Sequence, residues 1–172
     1  MHRIFFALET DTALQTSIGE WVAASLPIDS KPVQLADLHV TLKFIGSVSD
    51  VQLPKIIEAV KELSAPCFAL TLDHVGYWKA PRVFWLAPST QPQALLDLVS
   101  NLNQCLARHC EIPLDSRPYR PHITLARKVK VKPAIKLLSP MLLSAQSFSL
   151  MLSTTSSDGA KYQRIRAWPL QC

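Results

Sequence analysis

"LHVTLKFIG" (residues 38–46) and "PHITLARKV" (residues 121–129) both contain the run His-[Val/Ile]-Thr-Leu. The chain has five His and nine Thr in 172 residues, so chance composition supplies His-x-Thr about 0.3 times. It occurs twice, at His39/Thr41 and at His122/Thr124. In a strand, residues i and i+2 share a face, so each His lies beside its Thr. Leu38, Val40, Leu42 and Phe44 then make the apolar face of the first strand, and Ile123 and Leu125 that of the second. Each strand is expected to bury its aliphatic side against a helix and to turn imidazole and hydroxyl toward a cleft.

The segments around the two motifs repeat as well. "RIFFALE" (3–9) has the aromatic and β-branched content of a strand. Thr10 or Asp11 is placed to cap a helix running to about Ser25, with Leu14, Ile18, Trp21 and Val22 on one face. "PIDSKPVQLAD" (27–37) is a Pro-punctuated loop into a strand from Leu38 to Ile45. Asp50 is expected to cap a helix over about 51–63 that carries Leu53, Ile56, Ile57, Val60 and Leu63. "CFALTLDHVGYW" (67–78) and "PRVFWLAP" (81–88) read as strands. The order then restarts. "RVFWLAP" matches "RIFFALE" at an offset of 79, the helix "PQALLDLVSNLNQCLARH" follows, His122 trails His39 by 83, and "FSLMLSTTSSD" (148–158) matches "FALTLDHVGYW" (68–78) at an offset of 80. Each copy reads strand, helix, strand, a helical or loop segment, strand.

The expectation is an α+β fold with one bilobal domain, 1–172, made of two duplicated halves (about 1–80 and 81–172). Two pseudo-symmetric lobes of antiparallel sheet, backed by helices, surround a central cleft lined by the two His-x-Thr strands. A solenoid is excluded, because it needs more and shorter units.

Composition sets the outer bounds. Hydrophobic residues at 48% against 18% charged predict a packed core, not a disordered chain. A net charge of +5 suits an anionic ligand such as a phosphate or a short nucleic acid, without requiring one. Cys67, Cys105, Cys110 and Cys172 form no C-x-x-C pair and read as free thiols of a reducing compartment. The apolar run in "MHRIFFALETD" is too short for a signal peptide, and no stretch approaches the length of a membrane span. A soluble, cytoplasmic protein is expected, with no membrane partner. Four glycines, at 19, 46, 76 and 159, cannot build a Gly-rich phosphate loop or a dinucleotide fingerprint.

Two imidazoles facing one pocket suit acid–base chemistry on a phosphodiester. With an ordinary pKa of about 6.5, one His can be neutral while the other is protonated. The neutral ring takes a proton from the nucleophile, and the charged ring gives one to the leaving oxygen. Thr41 and Thr124 can donate to non-bridging phosphate oxygens. No metal is needed. A zinc site from Asp37, His39 and His122 is the alternative, but it leaves the paired Thr unexplained; Asp37 is expected to bond within its loop or to orient His39. His2, His74 and His109 have no partner motif and read as surface or structural.

"SRPYRPHITLAR" (116–127) adds Arg117, Arg120 and Arg127, suited to phosphate by their forks of donors. Strict alternation puts Arg127 on the face opposite His122 unless the strand bends. "KYQRIRAW" (161–168) places Lys161, Tyr162, Arg164 and Arg166 on a last strand, either flanking the cleft or on a solvated edge. Tyr119, Tyr162 and Trp78 are stacking surfaces for a base, or else core or rim residues.

Paired H-x-T-h motifs in a duplicated chain, with "RIFFALE", "LHVTLKFIGSV", "RVFWLAP", "RPYRPHITLARKV" and "YQRIRAWPL", resemble the 2H phosphoesterase superfamily. The branch is similar to the bacterial and archaeal RNA 2',3'-cyclic phosphodiesterases, also called 2'-5' RNA ligases. This resemblance implies a bilobal fold, no metal or nucleotide cofactor, and hydrolysis of RNA 2',3'-cyclic phosphate ends to 2'-phosphomonoesters. It implies His39 as proton donor and His122 as proton acceptor, with Thr41 and Thr124 holding the phosphate; the reading of the residues themselves adds Arg127 and Tyr162 as candidate substrate contacts. The implied partner is an RNA with a cyclic phosphate end, such as a tRNA fragment, bound by a monomer, and some relatives also join RNA ends through a 2'-5' bond. The alternatives are a cyclic phosphodiesterase acting on small nucleotides and a non-catalytic RNA-end binder. The near-symmetry of the two motifs does not itself choose acid from base.

Overall fold

The computed structural model describes residues 1–26, 30–133, 138–156 and 159–172. Residues 27–29 of the expected loop, and Ser157 and Asp158 at the end of the expected 148–158 strand, lie outside them. In chain order the elements are β1 (His2–Glu9), α1 (Thr12–Ser25), β2 (Lys31–Pro32), β3 (His39–Val48), α2 (Gln52–Ala59), β4 (Phe68–Trp78), β5 (Val83–Pro88), α3 (Gln93–Cys110), β6 (Ile123–Arg127), β7 (Met141–Ala145), β8 (Ser147–Ser156) and β9 (Gly159–Pro169).

Local chemistry explains the helix starts. Asp11 caps α1 by accepting the Leu14 N–H at 2.8 Å. Asp50 does not cap α2, contrary to expectation. Ser49 Oγ accepts the Gln52 N–H, and the Gln52 carboxamide accepts the Ser49 N–H, which is a capping box one position earlier. Asp50 instead takes a hydrogen bond from His2 at 2.6 Å. The helix ends at Ala59, short of the expected Leu63.

The strands form one antiparallel sheet in the order β7-β4-β5-β6-β3-β1-β8-β9, with β2 pairing beside β6. This order is symmetric about the β3–β6 contact, with β1 flanking β3 as β5 flanks β6. The outer strands are exchanged between the copies. β4 leaves the first motif to pair with β5, and β8 returns to pair with β1. Helices follow the same exchange: Trp21 of α1 stacks on Phe84 of β5, whereas α3, which follows β5, packs against β3. One core joins these layers, with Phe6, Phe84 and Phe148 among its fully buried side chains. A much smaller apolar patch of Phe5, Ala7 and Met151, with Tyr162 packed on it, lies apart from that core.

The cysteine expectation needs correcting. Cys67 and Cys172 form a disulfide, with Cα atoms 4.9 Å apart. The C-terminus reaches Cys67 because Gln171 bridges Pro66: the Cys67 N–H donates to Gln171 O and the Gln171 N–H to Ala65 O, both at 2.9 Å. Cys105 and Cys110 are free thiols, and burial pushes both up from the ordinary thiol range. Closing a loop across 105 residues is worth about 2–4 kcal/mol. Urea unfolding of the oxidised protein should therefore show a higher midpoint than the reduced protein or Cys172→Ser. Equal midpoints would exclude the bond in solution. No helix among the described residues is long and apolar enough to cross a membrane.

Candidate active site

Val40 and Ile123, both fully buried, are the partners that join β3 to β6. In an antiparallel pair one strand advances as the other recedes. This register therefore sets Thr41 opposite His122 and His39 opposite Thr124, on the sheet face away from Val40 and Ile123. Each imidazole sits across from the hydroxyl of the other copy.

Both rings are oriented in the same way. His39 Nδ1 lies 2.6 Å from Asp37 O, and His122 Nδ1 lies 2.9 Å from Arg120 O. A carbonyl oxygen only accepts, so Nδ1 carries the hydrogen in both, and Nε2 is the nitrogen left to exchange a proton. Aromatic rings hold the imidazoles. Tyr162 meets His39 edge-on at 4.9 Å with Phe5 at 4.9 Å, and Trp78 meets His122 edge-on at 4.7 Å. Trp78 in turn packs on Trp85 at 5.3 Å. The Trp85 indole occupies the space where a Cβ at Gly76 would lie, so only glycine fits there. Burial holds the pKa of both histidines below the ordinary value; the Asp37 and Arg120 carbonyls oppose this, while the Arg127 charge adds to it. Asp37 thus orients His39 through its carbonyl, while its carboxylate accepts the Tyr162 N–H at 3.2 Å. Among the described residues, no three His, Cys, Asp or Glu are gathered to hold a metal ion.

Two side chains break the expected alternation at equivalent places. In β3 the pairing with β1 runs from Phe6↔Lys43 to Ala7↔Thr41, leaving Leu42 as an extra residue. In β6 the pairing with β5 runs from Phe84↔Ala126 to Trp85↔Thr124, leaving Leu125 extra. Such a bulge buries two consecutive residues and flips the next. Phe44, expected on the apolar face, is 49% exposed, and Arg3 lies over its ring at 4.9 Å. Arg127, expected on the far face, joins His39 in lining a groove.

Two grooves meet here, sharing Thr41 and Phe44. The smaller, about 320 Å3, is lined by His39, Arg127, Tyr162, Arg3 and Phe5 among others. The larger, about 890 Å3, is lined by His122, Trp78, Arg117 and Arg120 together with a polar side of α3. Thr124 is half-buried beside His122 in the strand pattern but lines neither groove. Tyr119 also lines the larger groove; its hydroxyl donates to Thr41 O at 3.0 Å, and burial pushes its pKa well up. On β9, Arg164 is engaged bidentately by Glu9, and Arg166 lies over Trp168. Burial works against the charge of Glu9, yet hydrogen bonds from Arg164 and Ser149 hold its pKa below the usual range. Lys161 is exposed.

A family model described as the 2'-5' RNA ligase superfamily matches residues 10–154. The chain belongs to this superfamily. Among superfamily relatives, the RNA 2',3'-cyclic phosphodiesterase of Escherichia coli (strain K12) is 30% identical over 172 residues, covering 98% of this chain and 96% of that protein. The crystal structure of E. coli LigT in apo form matches with a TM-score of 0.88 at 30% identity, covering 99% of this chain and 98% of that one. LigT complexed with 3'-AMP also gives 0.88 at 30% identity, covering 98% of each chain. The resemblance drawn from the paired motifs, and the bilobal α+β fold that it implied, are therefore borne out at the level of the superfamily.

Proposed function

We propose that this protein hydrolyses RNA 2',3'-cyclic phosphate ends to 2'-phosphomonoesters by two-histidine acid–base catalysis. The observation that carries this reading is the Val40–Ile123 register, which sets each motif's His against the other motif's Thr. His122 Nε2 takes a proton from water as the water oxygen attacks phosphorus. The P–O3' bond breaks, and His39 Nε2 gives its proton to O3'. Burial disfavours the charged His39 in the free protein, but an anionic phosphate between the rings favours it. Thr41, Thr124 and the Arg127 guanidinium supply donors for the non-bridging oxygens, and Tyr162 walls the His39 side. A 5'-hydroxyl in place of water gives reversible 2'-5' joining by the same proton transfers. We further read the chain as a cytoplasmic monomer of two duplicated halves, about 1–80 and 81–172. The matched pairs β1/β5, β3/β6 and β4/β8 support the duplication.

The deciding experiment offers an oligonucleotide with a 2',3'-cyclic phosphate end and identifies which hydroxyl keeps the phosphate. Since imidazoles carry every proton, turnover should be unchanged in EDTA. Loss of activity with EDTA, restored by a divalent ion, would favour the Asp37/His39/His122 zinc reading instead.

A further inference from the structure

His39 and His122 are tethered alike, but the two carbonyls that tether them are held by different means. Asp37, whose carbonyl accepts from His39, ends a one-turn helix over Leu35–Asp37. Main-chain bonds secure that turn: the Asp37 N–H donates to Gln34 O at 2.9 Å and the Leu38 N–H to Leu35 O at 3.2 Å. The Thr10 hydroxyl adds a bond to Leu38 O at 2.8 Å. Arg120, whose carbonyl accepts from His122, lies in an irregular segment, 113–121, that belongs to no helix or strand. Among the described residues, no main-chain hydrogen bond joins that segment to the rest of the chain. Pro113, Pro118 and Pro121 lack the N–H that such bonds need.

Side chains of β3 and of the segment do the holding instead. Lys43, only 3% exposed, reaches from β3 and places Nζ 2.9 Å from both Pro113 O and Asp115 Oδ1. The Tyr119 hydroxyl donates back to Thr41 O, on the same strand, at 3.0 Å. One contact fixes the start of the segment, and the other fixes it one residue before Arg120. Stability alone does not call for an ammonium at this place. A buried ion pair is often no more stabilising than apolar side chains of similar volume, and Asp115 is half in solvent. What the ammonium adds is a defined position for a segment that has no main-chain partner.

We propose that Lys43, helped by the Tyr119 hydroxyl, is a positioning residue for His122: the strand that carries the first motif holds the carbonyl that orients the second motif's imidazole. The value of that orientation to catalysis rests on the phosphodiesterase reading; the tether does not. Without these anchors Arg120 O no longer stays in front of His122 Nδ1. The neutral ring then divides between its two tautomers, and the one with hydrogen on Nε2 has no lone pair there to accept a proton from water. His39 keeps its own turn and its tautomer.

The test is Lys43→Met, which keeps an apolar stem and leaves Asp115 free to be hydrated instead of leaving a charge unpaired inside. Tyr119→Phe, which removes one oxygen, serves as the second variant if Lys43→Met does not fold. Nitrogen–hydrogen correlation spectra of labelled histidine, recorded above both titrations, read the tautomer of each ring. His122 should gain the Nε2–H form in Lys43→Met, and to a smaller extent in Tyr119→Phe, while His39 stays as in wild type. The kcat for a 2',3'-cyclic mononucleotide should fall by up to about 10²-fold with KM little changed. If both rings shift together, the lysine merely supports the fold, and if neither shifts, its contacts are idle; either result overturns the proposal. A His122 shift without loss of kcat overturns the positioning role. Failure of wild type to turn over any cyclic substrate overturns the phosphodiesterase reading, while the tautomer of His122 still decides the tether.

Discussion

His39→Ala and His122→Ala are each expected to reduce turnover of a cyclic-ended RNA by about 10²–10⁴-fold, the usual contribution of a positioned acid or base. Each ring has its Nδ1 hydrogen engaged by a backbone carbonyl two residues earlier, so only Nε2 remains for proton transfer. Neither loss should unfold the chain. The imidazoles sit on the cleft side of β3 and β6, apart from the main core that holds Val40 and Ile123, and circular dichroism melting should confirm an intact fold. The roles separate with a diester whose leaving group needs no proton, such as p-nitrophenolate. That substrate should recover most of the rate lost in His39→Ala and little of that lost in His122→Ala. Recovery in the opposite variant would exchange the acid and base assignments. Near-normal activity in either variant on the RNA substrate would remove two-histidine catalysis altogether.

The parts of this site that were legible in the sequence are those governed by local periodicity. His39/Thr41 and His122/Thr124 share faces because the backbone of a strand alternates, and no partner is needed to know it. Phe44 and Arg127 were misplaced for one common reason. Each follows a bulge, at Leu42 or Leu125, whose extra residue exists only relative to the neighbouring strand. Lys43 is the residue that makes the first bulge look improbable, since it becomes buried. Its ammonium is tolerated because Asp115 and the Pro113 carbonyl, some seventy residues away in the chain, meet it. The exchange of β4 and β8 between copies is non-local in the same sense: sequence offsets pair β4 with β8 but do not say which strand each one joins. The Cys67–Cys172 bond spans 105 residues and has no local signature at all. By contrast, the capping box at Ser49 and Gln52 was readable from its S-x-x-Q spacing, and only the neighbouring Asp50 obscured it.

The pH dependence of kcat/KM should be bell-shaped and displaced to the acid side of an ordinary histidine titration. This parameter reports the free enzyme, in which His122 must be neutral and His39 protonated. Burial lowers both groups, so the rising limb, where His122 loses its proton, falls below about 6.5. The falling limb, where His39 loses its proton, also moves down. Rates at pH 7–8 should therefore decline as pH rises, while the kcat profile holds to higher pH, because bound phosphate anion favours the charged His39. Arg127 gives an independent handle, since its charge lowers both histidines. Arg127→Gln should lower the rate but shift both limbs of kcat/KM toward higher pH, an effect that loss of phosphate binding alone does not produce. The two limbs belong to the pair, because His39 and His122 also repel each other when charged. A flat profile between pH 5 and 9 would contradict any mechanism that needs one neutral and one charged imidazole. Product identity completes the argument, since protonation of O3' by His39 leaves phosphate on the 2' position. A 3'-phosphate product would keep both proton transfers and turn the ribose around, placing O2' beside His39 and moving the joining chemistry from a 2'-5' to a 3'-5' bond.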